Sequence, residues 1–179
     1  QSPFRKAFAD RGLVPHYWTT CVSNMHATRR SAYVNWNLLG WEAKPFTSKG
    51  WRTDLFYYGA FREGRKEGFD RFLNDPRYAK RVVVSSTSKK FAERYRGCQV
   101  VGPMERASFH EELASHGFGL FMEDKRSRGG LHSPPTRFYE MLSAGLPMLF
   151  EPESLEGLGI WGFHVEPFVA TSAEEALRR

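Results

Sequence analysis

Cysteine is nearly missing from this chain. Cys21 and Cys98 are the two present, and their separation matches no metal-ligand spacing. Two thiols make no disulfide framework, so a reducing interior, the cytoplasm, is the expected setting. No apolar run approaches the ~18 residues that a membrane span requires, so none is expected. The spelled-out signatures are missing too: there is no GxGxxG, no Walker-type loop and no HExxH. Without a glycine fingerprint behind a strand, a dinucleotide oxidoreductase is disfavoured. Glu123 and Asp124 are merely adjacent rather than set as a divalent-metal clamp, so no metal site is expected. An initiator Met and a charged-then-apolar leader are lacking at Gln1-Ser2-Pro3, and the chain stops inside the amphipathic run Ser172 to Arg179. Both ends lead us to expect a piece of something longer.

What remains is enough for a core. The 179 residues are 41% hydrophobic and 15% aromatic, which suits one domain, or one domain with a fragment of another. The net charge of +6 favours polyanionic partners such as nucleotides or nucleic acid.

The chain changes character near residue 52. Before it, Phe4 to Arg11 fits a short helix closed by Gly12, and then aromatic and basic residues follow without a clean period. We read residues 1–52 as the remnant of a preceding domain plus a linker ending near Pro45 to Gly50. From residue 53 the pattern is regular. Strands are predicted over Leu55 to Ala60, Arg81 to Ser85, Gln99 to Val101, Phe118 to Met122, Pro147 to Phe150 and Phe168-Val169. Helices are predicted over Glu63 to Leu73, Ser88 to Tyr95, Glu105 to Ser115 and Pro134 to Ala144, with a last one capped by Thr171 or Ser172. Short strands alternating with helices indicate an α/β fold with a Rossmann-like parallel sheet flanked by helices. In such sheets ligands sit outside the carboxyl ends of the strands.

The loops at those ends carry the candidate chemistry. His132 to Phe150 reads as a loop, a helix opening on two prolines, a tight turn at Gly145 and a buried strand. Thr136 and Glu140 then share one helix face. A ligand along that face could place a phosphate at the helix start, on Thr136 and Arg137, and a sugar hydroxyl on Glu140 one turn deeper. A nucleotide diphosphate has that layout. Glu140 also fits an ion pair with Arg137, and Phe138, Met141 and Leu142 are the expected buried stripe. His132 lies beside the same helix start.

Gly59 to Arg65 follows the first regular strand. Gly59 allows close backbone approach, while Arg62 and Arg65 are spaced to share a face, where two guanidinium groups could stabilise a departing diphosphate. The same residues also fit a solvated face in which both arginines pair with Glu63 or Glu67. Gly102-Pro103-Met104 could offer backbone contacts to a nucleobase edge, or be a simple turn. Ser86 stands at another strand end, as a ligand contact or a helix cap. The basic loop Asp124 to Gly130 could close over phosphates or track a polynucleotide.

Taken together, Thr136 to Phe150, with Glu140 and Ala144-Gly145-Leu146-Pro147, resembles the donor-binding helix and strand of glycosyltransferases with the GT-B fold. Tyr57-Tyr58-Gly59 with Arg62 and Arg65 looks like the loop opening the same half of those enzymes. The resemblance covers roughly Asp54 to Arg179. It implies that residues 53–179 are the nucleotide-sugar-binding half of a GT-B architecture, with Arg62 and Arg65 as catalytic groups on the diphosphate. It places Gly59, Ser86, Gly102, Met104, His132, Thr136, Arg137 and Glu140 on the donor, Glu140 at the ribose. The implied donor is a UDP-sugar used as substrate, with no cofactor required. The closely set arginines and basic charge are similar to phage glucosyltransferases acting on hydroxymethylated bases in DNA. A non-catalytic nucleic-acid-binding module, using Lys125, Arg126, Arg128 and exposed tryptophans, is the rival reading.

Overall fold

The computed structural model describes residues 17–19, 31–33, 54–124, 134–155, 158 and 164–178. The expected N-terminal helix, the tryptophan-rich linker, His132 and the basic loop from Lys125 onward lie outside the described residues. Within the segment that showed no clean period, β1 (Tyr17–Thr19) and β2 (Ser31–Tyr33) form a parallel pair with Trp18 opposite Ala32.

The main sheet is built from β3 (Leu55–Tyr58), β4 (Val82–Ser85), β5 (Gln99–Val101), β6 (Phe118–Phe121) and β7 (Met148–Phe150). All are parallel, in the order β5-β4-β3-β6-β7. The chain therefore moves outward from β3 to β5, then returns to the other side of β3 with β6. The crevice between β3 and β6 is the topological switch point, where α/β sheets admit ligands. β3 and β4 are near-continuous apolar runs because both faces of the sheet are covered.

Alternate strand residues feed two separate cores. On one face Leu55, Tyr57, Val82, Val84 and Leu120 pack against helices α1 (Lys66–Leu73), α2 (Lys90–Arg94) and the last helix, α5 (Ala173–Arg178). On the other, Phe56, Phe121, Met148 and Phe150 pack against α3 (Phe109–Ala114) and α4 (Thr136–Ala144). α4 ends as expected at Gly145, whose φ of 69° is left-handed. Leu146 N–H donates to the Met141 carbonyl and Gly145 N–H to that of Leu142, closing the helix end.

Several boundaries differ from the sequence expectation. The helix predicted from Glu63 starts as a tight turn over Glu63–Arg65 before α1. That predicted from Glu105 begins only at Phe109, since Glu105 to Ala107 are exposed and have no apolar face to bury. The strand expected at Phe168-Val169 shrinks to a single parallel bridge from Val169 to Phe150, preceded by a turn at Glu166–Phe168. On α4 the buried stripe is Phe138, Tyr139, Met141 and Ala144, whereas Leu142 is exposed. Two opposing elements explain that shift: Phe121 and Phe150 meet Phe138, and Phe138 in turn meets Tyr139 edge-on.

Gly97 locks the approach to β5 onto the end of α1. Its N–H donates to the Leu73 carbonyl at 2.8 Å, and a Cβ there would stand 2.6 Å from the backbone of Asp75 and Leu73. Backbone cannot swing aside as a side-chain tip can, so Gly97→Ala should destabilise the domain by about 1–3 kcal/mol in urea unfolding. An unchanged midpoint would show that this contact relaxes freely.

Candidate functional site

β3 ends at the switch point with Tyr57, Tyr58 and Gly59. Gly59 has φ 126°, a conformation that side chains avoid, and a Cβ there would also come within 3.4 Å of the Arg137 guanidinium. The glycine thus lets Arg137, on the first turn of α4, lie close over the strand end. Its guanidinium carbon is 4.9 Å from the Tyr57 ring centroid and 5.5 Å from that of Tyr58. Those rings belong to opposite faces of the sheet, so the arginine straddles its edge.

Arg65 arrives from the Tyr57 side. It is 8% exposed, and its Nη1 donates to the Tyr57 hydroxyl at 3.3 Å. Burial pulls its pKa below the ordinary arginine value, and the positive charge of Arg137 acts in the same direction. Asp124, at the end of β6, opposes this weakly and lies against Gly64. Among the described residues neither Arg65 nor Arg137 forms an ion pair. The Arg65 Nε and the Arg137 Nη1 are buried with no hydrogen-bond acceptor. Buried charged donors without acceptors are costly, and an anion is the chemistry that would satisfy them.

Glu140 lies on the Tyr58 side. The Tyr58 hydroxyl donates to its Oε2 at 2.6 Å, and no ion pair to Arg137 forms among the described residues. Burial first, then the Glu140 carboxylate, hold the Tyr58 phenol protonated far above its ordinary range. Gly59, Arg65, Arg137 and Glu140 therefore meet around one tyrosine pair.

Arg62 does not share the environment of Arg65. It precedes the Glu63–Arg65 turn in an extended conformation, its carbonyl accepts from Arg65 N–H, and its side chain is exposed. Glu63 pairs with Arg94 rather than with either arginine. Thr136 is the exposed first residue of α4, which opens on Pro135.

A cleft of about 230 Å³ adjoins this centre, lined by Tyr58, Gly59, Ser86, Thr87, Met104 and Phe109 among others. Ser86 is buried, and its Oγ accepts the Ser88 N–H in a turn ahead of α2, whose N-cap is Lys89 and takes no side-chain cap bond. Gly102 accepts from the Ser85 hydroxyl at 2.9 Å and has open space where a Cβ would stand. It lines a second, more open cleft of about 500 Å³ that shares Ser86 and Thr87. Sequence reasoning placed Tyr57 and Tyr58 in the loop resemblance without assigning either a contact, and it gave Phe109 no role. Their signal is thin: a tyrosine pair directly before a glycine at a strand end.

No family model and no curated protein matches the chain. Solved structures do. A T4 phage BGT in complex with UDP and Mn2+ superposes with a TM-score of 0.65 at 15% identity, over 98% of this chain and 55% of that one. The chain shares its fold with a phage glucosyltransferase. T4 phage β-glucosyltransferase in a second structure gives a TM-score of 0.60 at 17% identity, over 83% of this chain and 46% of the other. A third, the DNA-modifying enzyme β-glucosyltransferase, gives 0.60 at 17%, over 83% and 47%. These neighbours are GT-B glycosyltransferases, so the GT-B resemblance holds at the level of fold. The chain spans about half the length of the solved structures it matches.

Replacing a buried, unpaired cation with an apolar side chain is often neutral or stabilising. Arg65→Met should therefore melt no lower than the parent. Pyrophosphate at a hundredfold excess over its Kd should stabilise the parent by about 2.7 kcal/mol and leave Arg65→Met unmoved. Equal stabilisation of both proteins would remove Arg65 from the anion site.

Proposed function

We propose that residues 53–179 are the donor half of a glycosyltransferase, binding a UDP-sugar and passing its sugar to a hydroxyl acceptor. The observation that carries this reading is the pair of unpaired guanidinium N–H groups, on Arg65 and Arg137, converging at the switch point beside Gly59. Neighbours solved with UDP or UDP-glucose support the choice of ligand. In this reading the diphosphate lies against Arg65 and Arg137, with Arg62 reaching it from solvent and Thr136 at the helix start. Glu140 accepts from the ribose. The nucleobase enters the cleft between Ser86 and Met104, with Gly102 at its margin.

The reaction breaks the bond between the anomeric carbon and the diphosphate oxygen, leaving extra negative charge on the diphosphate. Fixed guanidinium groups in a partly dry site stabilise that charge without reorganising. The acceptor oxygen forms the new bond and loses its proton, and this reading assigns no general base to residues 54–178. One neighbour holds Mn2+ alongside UDP. Among the described residues no three His, Cys, Asp or Glu side chains gather to hold a metal, so no step is routed through one.

Residues 1–52 are in this reading the tail of an acceptor domain. The acceptor we favour is a hydroxymethylated base in DNA, which suits the net charge of +6 and a cytoplasmic site of action. Among the described residues no helix is long and apolar enough to cross a membrane.

Calorimetric titration with UDP and UDP-glucose tests the reading. Glu140→Ala should weaken UDP binding about tenfold or more, the worth of a hydrogen bond to a charged group, while the domain still melts as a folded protein. DNA binding that falls steeply with salt, coupled with no measurable nucleotide binding, would instead favour the nucleic-acid module.

A further inference from the structure

Tyr58 is the last residue of β3, and its ring is held on several sides. Phe109 meets it edge-on with centroids 5.7 Å apart, Phe56 stacks at 6.0 Å, and Arg137 covers it at 5.5 Å. A ring so confined sends its hydroxyl in one direction. That hydroxyl reaches Glu140 Oε2 at 2.6 Å, with a longer contact to the Arg137 carbonyl at 3.4 Å. Glu140 itself stands on α4 within helical reach of the Arg137 guanidinium, a cation that would attract it. The tyrosine takes up the carboxylate in place of that cation.

We propose that Tyr58 is a positioning residue for the nucleotide-sugar: its hydroxyl holds the Glu140 carboxylate aimed at the ribose. The proposal rests on the reading above, in which Glu140 takes the ribose. A carboxylate offers acceptors only, and its terminal torsion is broad, so its aim must come from a donor outside it. A phenol is suited to that task. It donates one short bond to one oxygen and leaves Oε1, with the other lone pair of Oε2, for two sugar hydroxyls. A lysine or arginine in its place would neutralise the carboxylate and compete for both oxygens. The phenol also remains a donor, because burial and the carboxylate itself keep it protonated.

Tyr58→Phe keeps the ring and removes the bond to Glu140 together with the longer contact to the Arg137 carbonyl. UDP and 2′,3′-dideoxy-UDP, titrated calorimetrically against the parent, Tyr58→Phe, Glu140→Gln and the double variant, separate the possibilities, with thermal melting to check folding. Tyr58→Phe should bind UDP about fivefold more weakly, while its affinity for the dideoxy nucleotide stays near that of the parent. The double variant should lose little more than Glu140→Gln alone, because the hydroxyl acts through the carboxylate. Equal losses for both nucleotides would make Tyr58 a packing residue and overturn the proposal. Unchanged UDP affinity in Tyr58→Phe, with a loss in Glu140→Gln confined to UDP, would overturn it and leave the ribose role of Glu140 standing. A Glu140→Gln variant that discriminates the two nucleotides as the parent does would bring down that role, and the positioning of Tyr58 with it.

Discussion

Arg137 lies across the end of β3, over aromatic rings that face opposite sides of the sheet. A carboxylate would have held the guanidinium more tightly, but would also have cancelled its charge. Aromatic faces attract the cation through their quadrupole, for roughly 0.5–2 kcal/mol, and leave its field intact. Arg65 is treated in the same way, since a phenol oxygen fixes it without neutralising it. Two like charges are thus kept close together and partly dry. The arrangement is tolerable only because two packed cores fix the rings beneath it, and in the proposed function an arriving anion would make it favourable.

The rest of the domain supports that strand end. Tyr57 is braced by Phe69 and Phe91 from the helices on one face, and Tyr58 by Phe109 on the other. At the opposite end of β3, Asp54 accepts the Gly117 N–H and pairs with the His116 ring, which stacks on Phe56 at 3.7 Å. The start of the central strand is therefore pinned to β6, the strand across the switch point, and its end to β4 and the flanking helices. The bidentate bond from Arg71 to Glu153 ties α1 to the turn after β7. Position at the site is inherited from packing on every side of β3.

Much of this framework was legible from residues alone. Apolar runs such as Arg81 to Ser85, punctuated by Gly and Pro, marked strands to within a residue or two. Gly145 announced the end of α4, because a left-handed residue there is nearly always glycine. Two kinds of information were hidden. Neighbouring tyrosines on a strand point to opposite faces, so no spacing rule suggests that one arginine could cover both. Arg62 and Arg65 fit a helical face, yet the chain turns through a tighter helix there and leaves one exposed and the other buried. Leu142 followed the stripe in sequence, whereas Tyr139 is buried beside Phe138, which the sheet rings Phe121 and Phe150 receive.

The margins of the main sheet are short. β5 has three residues, and beyond β7 the next rung is the lone bridge between Phe150 and Val169. Open strand edges are templates for recruiting further chains, and their hazard grows with the length of unpaired backbone. Here the exposed rungs at each border are too few to seed an added strand in register. The same economy that trims the periphery resists cross-β aggregation, while the four-residue strands β3 and β6 flank the switch-point crevice.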